Sequence, residues 1–286
     1  MASLKLIRRR ISGVKNTAQI TRAMKMVATA RLRRAQENME KARPYSWKLR
    51  EVITHLAART DPQNHPLLQV RDPERVGIVT VTSDRGLCGS FNMNICRRTQ
   101  QVMGEFPDRE AQLFTLGKKG NEFFRKRGVN IYRYYPGVFQ DLEFSQATSI
   151  GGEIVDNYVH GDFDRIFLVY NEFKNVAQQR VICEQLLPLK PLEELTVISH
   201  AVDYIYEPDV RGVLDGLLPL DVNIQVWRVM LESFAAEQAA RMTAMENATE
   251  NAEELVEELT LQFNKARQAA ITKELLEIVT GAEGLK

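Results

Sequence analysis

Cysteine is nearly absent from this 286-residue sequence, and the few that occur show no pattern. The chain holds three cysteines, an odd number without CxxC spacing: Cys88, Cys96 and Cys183. Its four histidines are scattered and lack HExxH or i, i+4 spacing: His55, His65, His160 and His200. A disulfide framework or a metal centre needs such spacing, so neither is predicted. We expect the histidines at the surface or in loops.

A long apolar run is also missing. No stretch approaches the roughly 18 residues that cross a bilayer as a helix. The N-terminus passes from Arg8-Arg9-Arg10 into amphipathic sequence, whereas a secretion signal continues into an apolar core. It is basic and poor in acids, as a mitochondrial presequence is, but its pattern continues without a break for over forty residues. We interpret it as mature structure and expect neither a membrane span nor secretion.

The N-terminal end has few acidic residues and the C-terminal end has few basic ones, and the two imbalances nearly cancel to a net charge of +1. Residues 1–50 carry fourteen Lys and Arg against two acids, and residues 207–286 carry fifteen acids against seven bases. The near-zero total indicates a folded globular chain, not a disordered or nucleic-acid-coating one. The two ends are therefore electrostatically complementary.

The N-terminal stretch has neither proline nor glycine between Val14 and Arg43. Apolar positions recur at steps of three and four, as on one narrow stripe of a helix: Leu4, Ile7, Ile11, Val14, Ala18, Thr21, Met24 and Val27. A helix of about fifty residues, about 75 to 80 Å long, is predicted, with a kink or brief break at Pro44.

The C-terminal region repeats this pattern after Pro208, with no proline or glycine from Leu220 to Thr280. Its seam is Met245, Thr249, Ala252, Val256, Leu259, Phe263, Ala266 and Ala270. Gly212 and Pro219 leave the start of this helix open. Because such a stripe must be buried and only the N-terminal helix matches it, we predict an antiparallel coiled coil. The last residues of the longer C-terminal helix should project alone.

Between the two helices, short strands alternate with short helices. Val76–Thr82 is a β-branched run typical of a buried strand. Further strands are predicted at 112–116, 130–135, 165–171 and 176–186, and helices at 92–105, 121–127 and 149–158. Such alternation indicates βαβ units. The predicted fold class is α/β, a Rossmann-like domain with a mostly parallel sheet plus the long coiled coil, with boundaries at 1–60, 74–200 and 208–286.

The loop Ser83–Asn92 lies where a doubly wound sheet often binds phosphate. It contains neither GxGxxG nor GxxxxGK[ST], so we favour tight turns and close helix packing at Gly86 and Gly89. A small nucleotide-binding α/β enzyme remains an alternative. Cys88 has no histidine near it in sequence, and we expect a buried structural thiol.

The basic face of the N-terminal helix permits a second alternative, a basic coiled-coil RNA-binding factor. This face consists of Arg8, Arg9, Arg10, Lys15, Arg22, Lys25, Arg31, Arg33 and Arg34. It lacks aromatic residues for base stacking, and the apolar seam continues beneath it. We therefore favour contact with an acidic protein surface over RNA.

Four segments, in the same order along the chain, resemble the gamma-subunit family of rotary F-type ATP synthases, in its bacterial form. They are Ile11–Val27, Ser83–Asn92, Glu237–Thr249 and Asn264–Thr272. Chloroplast-type members also resemble this chain but carry an inserted cysteine pair that is absent here, so thiol regulation is not expected. The resemblance covers essentially the whole chain.

The resemblance implies a central shaft without chemistry or cofactors of its own. Its partners would be three alpha and three beta subunits, the epsilon subunit and the membrane c-ring, without nucleic acid. Turned by ion flow, it would bias the three catalytic sites in sequence. It would lie on the cytoplasmic face of the bacterial inner membrane, as a peripheral protein.

The resemblance also implies which residues meet these partners. Arg22, Met24 and Lys25 would face beta near the lower rim of the head. Polar contacts to alpha and beta loops would come from Gln238, Arg241, Arg267, Gln268 and Thr272. The tip would run in a largely apolar sleeve through Leu275, Leu276, Ile278 and Val279. Tyr204, Tyr206 and Glu207 would form the foot that meets epsilon and the ring. For the helical residues, packing in the seam or exposure to solvent is the alternative.

Overall fold

The computed structural model describes residues 2–57, 65–189 and 210–283. Its helices are α1 (Ala2–Ala57), α2 (Phe91–Gly104), α3 (Lys118–Arg125), α4 (Phe144–His160) and α5 (Val210–Glu283). Its strands are β1 (Arg75–Val81), β2 (Glu110–Leu116), β3 (Ile131–Tyr135), β4 (Arg165–Phe173) and β5 (Gln179–Leu187).

The chain divides into two compact units, to which both long helices contribute. The paired-helix unit takes in residues up to Ala28 and from Arg241 onward. The α/β unit takes in Thr29–Ala240.

The α/β unit is built on a five-stranded sheet in the order β3-β2-β1-β4-β5. Strands β1 to β4 pair in parallel, and β5 runs antiparallel to β4. All residues of β1 after Arg75 are buried, as expected for a central strand covered on both faces. The predicted Rossmann-like fold with a mostly parallel sheet is confirmed.

Both prolines in question lie inside continuous helices, Pro44 in α1 and Pro219 in α5. The predicted break at Pro44 is therefore absent, and α5 begins before Pro219. Proline removes one backbone hydrogen bond, but burial of neighbouring side chains stabilises the helix across it. Leu49 and Ile53 follow Pro44 in the main core of the α/β unit, and Leu218 and Val222 flank Pro219 in the same core.

Candidate partner-binding surface

The paired-helix unit is held together by the predicted seam. Its side chains are buried or half-buried from Leu4 to Met24 on α1 and from Met245 to Ala270 on α5. One position differs, because Val27 is exposed and the neighbouring Ala28 is buried instead. A helix has 3.6 residues per turn, so a stripe read at steps of three and four drifts by one position over several turns.

Polar contacts fix the helices in one antiparallel register. The hydroxyls of Thr21 and Thr249 lie 2.7 Å apart and are both buried in the seam. The Thr21 hydroxyl also lies 3.1 Å from the carbonyl oxygen of Ala18, and the Thr249 hydroxyl lies 2.7 Å from that of Met245. Each hydroxyl has one proton, so one of them donates across the seam and the other donates within its own helix. On the flanks, Arg22 pairs with Glu253 and Lys25 with Glu246. Complementary charges therefore do meet along the helix pair.

These ion pairs bear on the contacts predicted for Arg22 and Lys25. Both cations are bound to carboxylates of the same chain, yet both keep exposed surface. Such exposed pairs contribute little stability, so a stronger acidic partner would compete for them at small cost. Met24 between them is half-buried. Contact of these residues with a partner stays a prediction.

The end of α5 presents the most exposed predicted residues. Arg267, Gln268 and Thr272 are exposed, and every position from Ile271 to Thr280 is exposed as well. The large apolar side chains among them are Ile271, Leu275, Leu276, Ile278 and Val279. Contiguous exposed apolar side chains mark interaction surfaces in soluble proteins. The described geometry therefore leaves this tip available for an apolar partner.

Gln238 and Arg241 lie differently from the other predicted contact residues. Gln238 is only 1% exposed and Arg241 8% exposed. Both lie on α5 near the buried Ala235, Ala236 and Ala239. Burial within this chain leaves both side chains little exposed surface, and their contact with alpha or beta loops stays a prediction.

Exposed apolar residues outside the seam were missed from the sequence. Leu6, Ile20 and Met26 on α1 and Leu261 on α5 are all more than half exposed. The sequence contained a signal for them, because the paired helix covers the seam stripe and leaves apolar side chains outside that stripe uncovered. The candidate surface therefore extends along the outer faces of both helices and is not confined to the tip.

The foot predicted at Tyr204, Tyr206 and Glu207 lies outside the described residues. Among the residues that the structure describes, no helix is long and apolar enough to cross a membrane. Within the same ranges, no group of three or more His, Cys, Asp or Glu side chains could hold a metal ion.

Polar groups of the loop Ser83–Asn92 form hydrogen bonds with one another. Asn92 accepts from the Ser83 N–H at 2.9 Å and donates to its hydroxyl at 2.8 Å, and it also contacts the buried Cys88 sulfur at 3.3 Å. Gly89 has φ of +57°, which confirms a tight turn there. Close helix packing at Gly86 and Gly89 was wrong, because open space surrounds both.

The close backbone approach occurs instead at Gly117, which follows β2. A Cβ there would lie 2.0 Å from the carbonyl oxygen of Thr82.

His65 lies in a loop before β1, as predicted, and its side chain is buried in the α/β unit. Its Nδ1 accepts a hydrogen bond from the Leu67 N–H at 3.1 Å, and its Nε2 lies 3.2 Å from Asp215 Oδ1. Desolvation by burial lowers the pKa of His65, Asp215 raises it and Arg211 lowers it further.

Burial raises the pKa of the Cys96 thiol to about 12, so this cysteine is not a reactive thiolate near neutral pH.

Comparisons with known proteins agree with this geometry. The sequence matches the family described as ATP synthase over residues 3–285. It is 51% identical to the ATP synthase gamma chain of Chlorobaculum parvum and 48% identical to that of Geobacter metallireducens, with 100% of both chains covered in each case.

Solved structures give the same result for the fold. A chain of the Euglena gracilis mitochondrial ATP synthase (OSCP/F1/c-ring) is similar with a TM-score of 0.74 at 22% identity, over 99% of this chain and 95% of that one. A chain of the Tetrahymena thermophila mitochondrial ATP synthase central stalk and c-ring has a TM-score of 0.62 at 27% identity, over 80% and 99%. These matches support neither the RNA-binding alternative nor the nucleotide-binding enzyme.

Proposed function

Because this chain belongs to the ATP synthase gamma family and is the central shaft of a rotary ATP synthase, we propose that it couples ion flow to catalysis by contact alone. Ion flow through a membrane ring turns the chain. The turning helices then present different faces to three catalytic beta subunits and bias each site in sequence. The chain supplies coupling and no chemistry.

One observation carries this proposal. The paired-helix unit holds its two helices in register through a buried or half-buried seam, while its longer helix ends in exposed apolar residues. An isolated soluble protein gains nothing from exposing Leu275, Leu276, Ile278 and Val279 side by side. A partner that surrounds the tip would bury these residues, as an apolar sleeve formed by alpha and beta subunits would.

The polar residues before the tip have a complementary part in this proposal. Arg267 is exposed and suited to bidentate pairing with carboxylates, and Gln268 and Thr272 are exposed hydrogen-bonding groups on the same helix. We assign these three residues to alpha and beta loops. Arg22, Met24 and Lys25 would face the lower rim of the same ring, and Gln238 and Arg241 would add polar contacts through the little surface that burial leaves them.

The α/β unit would meet the epsilon subunit and the membrane c-ring through Tyr204, Tyr206 and Glu207. The chain would then work at the cytoplasmic face of a bacterial inner membrane, as one subunit in a complex with three alpha and three beta subunits. No step of this proposal requires a cofactor.

Assembly tests the proposal directly. The full-length chain, mixed with purified alpha and beta subunits, should yield a complex of one gamma per three alpha and three beta subunits. Its mass should be measured by native mass spectrometry. Reconstitution with the membrane sector should then give ATP-driven ion pumping. A chain that stays separate from the alpha and beta subunits, or binds RNA at low salt instead, would overturn the proposal.

A further inference from the structure

Arg228 joins helix α5 to two strands of the sheet inside the α/β unit. Its guanidinium pairs with Glu184 on β5 and donates a 3.0 Å hydrogen bond to the hydroxyl of Tyr170 on β4. A third contact, 3.3 Å long, runs to Glu232 one turn along α5. One side chain thus holds three groups from three elements.

The apolar packing beside this cluster is incomplete. A cavity of about 110 Å³ lies between α1 and α5, lined by Met39, Ala42, Ser46, Ile224, Trp227, Arg228, Leu231 and Glu232. Apolar contacts are non-directional, so they set the distance between a helix and a sheet better than its rotation. The cavity lies between α5 and α1, so contact with α1 also gives α5 little resistance to turning or sliding at this level.

A guanidinium fork supplies the missing restraint. It is planar and its donors point in fixed directions, so turning α5 about its axis would break the bonds to Tyr170 and Glu184 together. The local electrostatics keep Arg228 in place. Burial would lower the pKa of Arg228, but Glu184, Tyr170 and Glu232 together raise it, so the charge is retained. Glu232 keeps one buried oxygen without a hydrogen-bond partner, so the cluster is not optimised for stability.

We infer that Arg228 is a positioning residue for coupling, which fixes the rotational and axial position of α5 on the sheet. This inference rests on the proposed function, in which torque enters through the α/β unit and leaves through α5. Helix α5 belongs to both units. If α5 slipped on the sheet at Arg228, less torque would reach the catalytic sites. Glu184 and Tyr170 are the two groups of the sheet that receive the load.

The test compares two variants that remove the fork in different ways. Arg228→Lys keeps the charge but removes the paired donors. The triple variant Arg228→Met, Glu184→Gln and Glu232→Gln removes all three charges, so no unpaired buried charge destabilises the fold. The matched control is Arg133→Lys, which loosens a 3.0 Å ion pair to Glu153 that joins β3 to α4 and does not include a residue of α5.

Each variant is assembled into the complete complex, and ions pumped per ATP hydrolysed are measured together with thermal unfolding. Both Arg228 variants should lower the pumping ratio by at least about twofold, the range expected when a coupling contact is removed. The triple variant should do so without losing thermal stability, and Arg133→Lys should keep the wild-type ratio. Wild-type pumping ratios in both Arg228 variants would overturn the inference. A wild-type chain that fails to pump after assembly would instead overturn the proposed function.

Discussion

At the scale of single residues, His65 couples the pH to the stability of the α/β unit. A backbone N–H donates to its Nδ1, so this nitrogen carries no proton and the buried ring is neutral, with Nε2–H donating to Asp215. Protonation of Nδ1 would set two donors against each other. Because the folded pKa is lowered, the contribution of His65 is fully present above the unfolded pKa of about 6.5. It is lost as the pH falls from there through the folded pKa.

Urea unfolding of the full chain between pH 8 and pH 5 checks this prediction. The free energy of unfolding should fall below about pH 6.5, and His65→Gln should flatten that part of the profile. His160→Gln is the control, because His160 is exposed at the end of α4 and should keep the wild-type profile. Equal slopes in all three proteins would contradict the assignment to His65.

Gly117 is a residue whose importance comes from the backbone alone. Its φ is +87°, and a Cβ would collide with the Thr82 carbonyl, which belongs to the chain just after β1. Gly128 has a similar φ of +70° but open space around it. Gly128→Ala should therefore cost about 1 kcal/mol through backbone strain alone. Gly117→Ala should cost several times more or prevent folding, as measured by urea denaturation. Equal losses would show that the loop yields.

At the scale of elements, two leucines on α5 test the seam. Leu259 is 4% exposed and Leu261 is 71% exposed, although only one residue separates them. Leu259→Ala should lower the free energy of unfolding of the paired-helix unit by about 2 to 3 kcal/mol. Leu261→Ala should change it by less than about 0.5 kcal/mol. Circular dichroism during urea denaturation gives both values, and equal losses would mean that the helices pair through other faces.

The sequence predicts elements better than it predicts sites. Hydrophobic period located the seam, because burial of one face of a helix imposes a regular repeat, and the β-branched run at Val76–Thr82 located the central strand. A brief break was one of the two outcomes predicted at Pro44, and the helix is continuous there. The core beyond that proline stabilises the helix more than the missing hydrogen bond weakens it. The hydrophobic period gave no sign that Gln238 and Arg241 are buried, since polar residues leave the apolar repeat unchanged. The Arg228 cluster joins α5 to β4 and β5, and no local pattern marks such a contact.

At the scale of the whole molecule, the charge asymmetry of the two ends has a structural counterpart. Arg22 and Lys25 of the basic end meet Glu253 and Glu246 of the acidic end, so the complementary charges lie on the flanks of one helix pair. Each pair is exposed, and none contributes much alone. Their shared effect is to favour pairing of the basic helix with the acidic helix over pairing of either helix with a copy of itself, in which like charges would face each other.

Deletion of residues 277–286 separates the work of the tip from the stability of the fold. Residues 277–280 of α5 are exposed, and the cores of the α/β unit contain none of them, so its unfolding midpoint in urea should stay unchanged. In the assembled complex, the ions pumped per ATP should fall, because the shaft loses the apolar end that the surrounding subunits would hold. Replacing Ile278 and Val279, the apolar tip residues that the deletion removes, by Gln keeps the length and removes their apolar surface. If the Gln variant pumps as poorly as the deletion, the tip contributes apolar contact. If the Gln variant pumps normally, only the length of the tip matters. An unfolded α/β unit after the deletion would show that the tip belongs to its core.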